Sequence, residues 1–546
     1  MHSGIAGHAT DLPELRQHIA RHLDFAALKS CSLVCKAWHL SFHSILWEHF
    51  TCTVPKRCSE SPEEYAAWID IISKKAHLFQ HIHHNEPRNI IAPDIRDILL
   101  DRCDGLITIE AIMSGVQGWV PIRYWEETLR PLIERNKVSL RRLQFRETMC
   151  LPIASLHLPS LLAGLSRLQS LDLGIAFTTD YLLPVLEACP VSLKHLELRS
   201  NIRTGVASQE DSVVDQLSPP PQSIIHQKAT TAPFLRLKHL GICGVRYNGT
   251  LGDILSRLAG NSLESLQVKI IDSQFSFQVS PTQGDALSRL TGLHIDTLNP
   301  DHILDIPVLL KAIPPHQLCR VHLRMMDTEC AVTLSQHHYR SLESLGVIFM
   351  RGHSGALADI MATCHKLKTL DFGGEPLTDI RTLIDPQRPW VCTELEVFQG
   401  YFGLSPPLVS NKKHGAGDMM QEDGEVASDQ VENIFMQRLG QLTKLRRLMQ
   451  DYDTIRYLFN GYPTENDRNI MTWTLSSGLR HLVDLVNLEW FEFLDLSPPA
   501  GIGIPELVFI KQHWPSLKGL ACYNIGTTEV KEWLASEWPE LEVKLS

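Results

Sequence analysis

Leu168-Gln169-Ser170-Leu171-Asp172-Leu173 and Leu193-Lys194-His195-Leu196-Glu197-Leu198 are two copies of one hexad, Leu-x-x-Leu-x-Leu, set 25 residues apart. In an extended chain successive side chains point to opposite faces, so the second and third leucines share one face while Asp172 or Glu197 between them points the other way. Further matches with an aliphatic residue or Phe in the last slot begin at Leu140, Leu237, Leu263, Leu290, Leu342 and Leu367. In chain order the steps are 28, 25, 44, 26, 27, 52 and 25 residues, and the 52 divides into 28 and 24 at Leu318-x-x-Val321-x-Leu323. Self-similarity at one period is the signature of a repeat array, in which each unit buries its apolar face against its neighbours.

Weaker copies extend the register: Phe79-x-x-Ile82 and Leu106-x-x-Ile109 before it, then Leu395-x-x-Phe398, Leu445-x-x-Leu448, Leu488-x-x-Phe491-x-Phe493 and Leu517-x-x-Leu520, with Leu541-Val543-Leu545 as a terminal strand. Three residues before the first anchor stand Cys103, Cys364, Cys392, Trp514 and Trp538, with Cys189 displaced by one, which predicts a recurring buried slot. Asp180–Cys189, Gly252–Leu258 and Gly355–Met361 read as short amphipathic helices between strands. This pattern resembles leucine-rich repeats, although the asparagine common at the ninth position of such repeats occurs only at Asn201. The resemblance implies a curved parallel β-sheet on a concave face and helices on the convex face. The residues between the second and third anchors, Gln144, Asp172, Glu197, Gly241, Gln267, His294, His322, Gly346, Asp371 and Gln399, then form a polar stripe. Of these, Gln144, Asp172, Glu197, Gln267, His294, His322 and Asp371 are the candidate substrate-binding residues.

The N-terminal side follows another rule. Asp11 with Glu14 can cap a helix start, and Leu12, Leu15, Ile19 and Leu23 form one apolar stripe opposite Arg16, Gln17 and Arg21. Asp24 is placed to cap a second helix, and Cys31-Ser32-Leu33-Val34-Cys35-Lys36-Ala37-Trp38 and Ile45-Leu46-Trp47 supply more apolar surface than so short a segment can bury alone. Leu12-Pro13-Glu14-Leu15, the Leu-Val-Cys-Lys-x-Trp run and the closing Leu46-Trp47 resemble the F-box, the helical module that docks on the Skp adaptor of cullin-RING ubiquitin ligases. The resemblance implies that Leu12, Pro13, Leu15, Ile19, Leu28, Val34, Cys35 and Trp38 supply adaptor-binding surface and internal packing. Cys31 and Cys35 are expected to be buried rather than catalytic.

These readings predict an α/β chain: an all-α F-box over 10–50, a helical linker over 51–76 carrying Trp68, Ile69 and Ile72 as its buried stripe, and a leucine-rich-repeat solenoid over 77–546. Two segments interrupt the solenoid, a Ser/Gln/Pro-rich one over 200–231 and an acidic one over 405–432, both expected to be flexible loops.

A formal net charge of -11 disfavours nucleic acid and anionic membranes as partners. No apolar run is long enough to cross a bilayer, no signal peptide opens the chain, and the 13 cysteines include no CxxC pair, which predicts a reduced cytoplasmic or nuclear setting. Nucleotide-binding loops, His-Glu-x-x-His and Gly-x-Ser-x-Gly are absent, so neither an enzyme nor a cofactor is expected. His18 and His22 lie one helical turn apart without further ligands, and His81-Ile82-His83-His84 overlaps an expected edge strand as exposed histidines, so no metal site is expected. The function these features imply is the substrate-recognition subunit of a Skp-cullin-F-box ligase, with a scaffold acting outside any ubiquitin ligase as the alternative. An enzyme hidden in the repeats would instead require a deep pocket with convergent titratable groups.

Overall fold

The computed structural model describes residues 13–55, 58, 60–84, 91–113, 123–147, 157–175, 179–200, 237–245, 249–257, 262–270, 275–279, 285–297, 304–350, 355–373, 378–400, 402–404, 428–450, 471, 473–493, 502–522 and 528–545. It divides into two compact units, the first built mainly on Met1–Gly249 and the second mainly on Phe275–Ser546.

The first unit opens with α1 (Pro13–Ala20), α2 (Phe25–Ser32) and α3 (Lys36–Leu46). Pro13 occupies the first turn of α1, where its missing N–H costs nothing. Asp24 caps α2, its carboxylate accepting from Ala27 N at 2.7 Å. The helices close on Ala20, Leu28, Phe42 and Ile45, with Leu23, Cys31, Trp38 and Leu46 packed against them. Arg16 is buried beside this cluster and donates from Nε to Ser41 Oγ at 3.1 Å.

The chain then enters the sheet at once. Strand β1 (His49–Thr51) pairs in parallel with β2 (His81–His84), so the sheet begins inside the segment expected to be F-box and linker. The crossover is α4 (Pro62–Lys75), capped by Ser61 Oγ accepting from Glu64 N, with acids in its first turn and lysines in its last, as the helix dipole favours. Ile72 of the expected stripe is buried, while Trp68 and Ile69 are only half-buried. Phe79 ties the helices to the sheet, its ring stacked on Phe50 at 4.5 Å and on Trp47 at 6.3 Å. Because β2 is paired on both sides, it is not the expected edge strand, and its alternation buries Ile82 and His84 while His81 and His83 lie half-buried on the polar face.

From β2 the first unit continues through β3 (Thr108–Met113), β4 (Arg142–Glu147), β5 (Ser170–Gly174), β6 (His195–Arg199) and β7 (His239–Val245), each parallel to the last. The second unit carries β8 (Ser265–Ile270), β9 (Gly292–Ile295), β10 (Arg320–Met326), β11 (Ser344–Met350), β12 (Thr369–Phe372), β14 (Val397–Gly400), β16 (Arg447–Gln450), β17 (Trp490–Phe493), β18 (Gly519–Cys522) and β19 (Glu542–Leu545), again parallel in that order. The short strands β13 (Thr378–Asp379) and β15 (Phe402–Gly403) pair separately.

One register row is made by Leu143, Leu171, Leu196 and Leu240, and all four are buried. Parallel strands one repeat apart require a crossover, and helices at Pro93–Arg102, Thr179–Ala188, Gly355–Thr363 and Ile504–His513 provide it. The predicted slot is real: Cys103, Cys189, Cys364, Cys392, Trp514 and Trp538 are all buried. The expected ladder position Asn201 lies outside the described residues, and among the described residues of the first unit one asparagine is buried, Asn136, which accepts from Leu106 N at 2.8 Å and donates to the carbonyls of Cys103 and Leu132. Nearly all of the Ser/Gln/Pro-rich segment and residues 405–427 of the acidic segment lie outside the described residues. The expected acidic loop is shortened at its end, because Ser428–Gly440 is a helix that buries Val431, Phe435, Met436 and Leu439.

Candidate functional site

Two surfaces answer to the candidate residues. On the N-terminal helices Leu12 lies outside the described residues, Pro13 is exposed, and Leu15, Ile19 and Trp38 are half-buried. Leu28 belongs to the core at 7% exposure, on the internal-packing side of the expected set. Trp38 spends one face on Phe42, edge-on at 5.1 Å. The expected burial of Cys35 is corrected: as the N-cap of α3 it is exposed, because the turn between α2 and α3 lifts it off the core. Val34 in the same turn is 68% exposed, beside Leu33 at 77%, and Leu40 on α3 is bare at 67%. Leu33 and Leu40 escaped the candidate set. Leu40 was legible in principle, since it lies two residues before the buried Phe42 and therefore about 200° around the helix from it.

The second surface is the polar face of the strands. In the first unit the register aligns Gln144, Asp172, Glu197 and Gly241 in one row, as the spacing predicts, and adds Glu110 to it. The same face carries His81, Arg142, His195 and His239 on one side of that row and Arg146 and Arg199 on the other. Asp172 and Glu197 are not open to solvent as isolated acids. Arg146 Nε donates to Asp172 Oδ2 at 3.0 Å, and Arg199 reaches Glu197 Oε1 at 2.6 Å and Asp172 Oδ1 at 3.8 Å. The neighbouring His195, then Arg199, hold the Glu197 carboxyl down to about 2 against the opposing effect of burial. Glu110 bridges His83 at 2.9 Å and Arg142 at 3.9 Å. This stretch is thus a chain of nearly matched charges with histidines along one edge.

In the second unit the row is Gln267, His294, His322, Gly346, Asp371 and Gln399. Its middle members His294, His322, Gly346 and Asp371 line a shallow recess of about 290 Å³ together with Arg320, Ser344 and Thr369. The rings of His294 and His322 lie 4.3 Å apart, and burial lowers the His322 pKa from its ordinary value. Gly346 is required here, since a Cβ at this position would lie 2.3 Å from His322 Nδ1. Beyond this row, Arg446 Nε lies 2.7 Å from Glu489, which Lys518 also contacts at 2.9 Å. Among the described residues these cations are paired with acids and do not line up as a basic ladder.

Among the described residues the two surfaces present packing thiols, ion pairs and histidines. Burial pushes the thiols of Cys103, Cys189 and Cys392 up to about 12 and that of Cys364 to about 11, which leaves them protonated packing groups. Among the described residues no helix is long and apolar enough to cross a membrane.

The family model for F-box-like domains matches residues 11–53. Among solved structures, a leucine-rich-repeat protein of Leptospira interrogans aligns over 76% of this chain and 98% of its own, at 15% identity and a TM-score of 0.32. No curated protein matches the sequence. The repeat assignment rests on the strand registers of this chain itself, in which hexad after hexad pairs in parallel through the same positions. The chain carries an F-box-like domain at residues 11–53, followed by a degenerate leucine-rich-repeat array.

Proposed function

We propose that this protein is the substrate-recognition subunit of a Skp-cullin-F-box ubiquitin ligase. α1–α3 dock on the Skp-family adaptor, and the polar face of the repeats captures a protein target. The observation that carries the reading is the bare apolar surface of Leu33, Val34 and Leu40 on an F-box-like domain whose own core is only four residues deep. Leaving three large apolar side chains in water is unfavourable, and covering them on an adaptor recovers about 1.5–3 kcal/mol for each that is fully buried. Pro13, Leu15, Ile19, Val34, Cys35 and Trp38 contribute to that contact together with Leu12, while Leu28 supports it from beneath. The protein performs no chemistry of its own. It raises the effective concentration of an acceptor lysine beside the charged conjugating enzyme.

For the target, the favoured sites are the recess around His294, His322 and Asp371 and the ion-pair rows around Gln144, Asp172 and Glu197, with Gln267 at the margin. Both are shallow and polar, which suits a protein segment better than a small molecule. Affinity purification of the full chain tests the proposal, with recovery of Skp-family adaptor together with cullin as the expected result. Adaptor without cullin would instead mean a scaffold acting outside the ligase. Leu12→Ala with Pro13→Ala is expected to reduce adaptor recovery several-fold while the repeats remain folded, and unchanged recovery would place the hook elsewhere.

A further inference from the structure

The polar face of the first unit brings together three side chains, one of them the Glu197 of the proposed target-binding row, in a grouping that protein capture does not call for. His195 and Glu197 stand two residues apart on the same face of β6, and His239 on β7 is the register partner of His195. His195 Nε2 lies 3.7 Å from Glu197 Oε2, and the two imidazoles are stacked at 4.3 Å with their planes 7° apart. One donor atom from each of the three residues lies within 4.8 Å of the other two, and no other such group of three occurs among the described residues. Two imidazoles and one carboxylate are the donor set of zinc and cobalt(II) sites that keep a fourth position open. A tetrahedral ion with bonds of about 2.0–2.1 Å holds its donors about 3.3 Å apart, so His195 and Glu197 are nearly in place and the remaining closure is a side-chain rotation.

We propose that His195, Glu197 and His239 form a divalent transition-metal site, with Zn2+ as its natural occupant and one coordination position left open on the polar face.

Two features of the surroundings fit a built site. Gly241 stands beside Glu197 in the register, and a Cβ there would approach Glu197 Cγ to 3.1 Å and His239 Nε2 to 3.5 Å, so glycine keeps the space at the donors clear. Arg199 binds Glu197 Oε1, which fixes the carboxylate and leaves Oε2 turned toward His195, the arrangement of an outer residue orienting a metal ligand. The Arg199 charge opposes a dication and makes the site weaker than a cage of three ligands alone.

The test uses the full chain and zinc chloride alone, with no target protein. Titration calorimetry is expected to give one Zn2+ per chain, with affinity lowered at least ~10-fold in His239→Asn and in Glu197→Gln. In the wild-type chain, Zn2+ is expected to protect His195 and His239 from diethyl pyrocarbonate, mapped by peptide mass spectrometry, while the exposed His316 stays reactive. The footprint needs no variant, so a misfolded mutant does not spare the proposal. Absence of binding, unchanged affinity in both variants, or protection confined to other histidines would each overturn it. Because adaptor binding uses a different surface, failure here leaves the ligase reading standing.

Discussion

In α1–α3 the buried apolar core is Ala20, Leu28, Phe42 and Ile45, while Leu33, Val34 and Leu40 stay bare. In β4–β6 the anchors Leu143, Phe145, Leu171, Leu173, Leu196 and Leu198 are buried without exception, and each has a neighbour of the same kind on the adjoining strand. The helical segment is too short to cover its own apolar side chains, whereas an array covers each repeat with the next. Apolar residues therefore mean different things in the two regions: in the repeats they hold the fold, and in the helices several of them remain for a partner. Substitution should separate these roles.

The largest expected effect lies in the array. Leu171→Ala removes a fully buried anchor and leaves a cavity between neighbouring strands, at a cost of about 2–5 kcal/mol. Leu33→Asp together with Val34→Asp changes side chains already in water and is expected to leave the unfolding transition within about 0.5 kcal/mol. That double variant should nevertheless reduce adaptor affinity more than ~30-fold, since charged side chains would have to be buried at the contact. Denaturant unfolding and adaptor titration on the same two proteins check the contrast. Equal destabilisation by both changes would mean that Leu33 and Val34 hold the fold, and the comparison would collapse.

The next effect concerns how the array manages without an asparagine in every repeat. Asn136 is completely buried, and its amide satisfies Leu106 N and two carbonyls. Asn136→Ala strands Leu106 N and the Cys103 carbonyl in the interior, while the Leu132 carbonyl keeps the backbone N of residue 136, at about 1–3 kcal/mol for each group left without a partner. A stability loss of about 2–4 kcal/mol by denaturant unfolding is expected. Asn136→Asp should do nearly as badly, because a carboxylate can accept from Leu106 N but cannot donate to the carbonyls of Cys103 and Leu132. A loss below ~1 kcal/mol in both would show that water replaces the amide, and the repeats would then be less self-sufficient than their leucines suggest.

How much of this was legible in the chain follows from what each feature depends on. The hexads were legible because alternation and period are local, and so Gln144, Asp172 and Glu197 fall in one row as their spacing predicts. The burial of Asp172 and Glu197 was not, since it is imposed by Arg146 and Arg199 two residues further along β4 and β6, whose reach depends on the pairing. Strand β1 was missed because His49-Phe50-Thr51 is too short for a period, and its pairing with β2 alone makes it a strand. Leu28 and Leu33 look alike as leucines, and only the packing of α2 on α3 assigns one to the core and the other to the surface. The metal-ligand grouping spans β6 and β7, whose sequence separation hides it, although His195 and His239 occupy equivalent positions of their hexads.

The smallest effect distinguishes the histidine edge from the rest of the array. His81 lies between His49 and Thr108 in the register, with His83 and Arg142 adding positive charge and Glu110 opposing them. Burial first, and these cations second, lower its pKa from 6.5 to about 4. A neutral His81 is therefore favoured by the folded state. As pH falls below 6.5 the unfolded chain takes up a proton that the folded chain refuses, so stability is intact above 6.5 and declines until the folded ring is itself protonated near 4. Glu197 titrates in a lower window, between its ordinary 4.5 and about 2, so the two groups can be told apart by pH. Denaturant midpoints measured from pH 7.5 to about 4.5 are expected to fall less steeply in His81→Asn than in wild type, while Glu197→Gln should leave the slope in that range unchanged. Parallel slopes for wild type and His81→Asn would show that the stacked ring of His49, at 4.3 Å, relaxes away when His81 is charged, and that the edge beside the F-box-like helices is softer than the leucine rows beneath it.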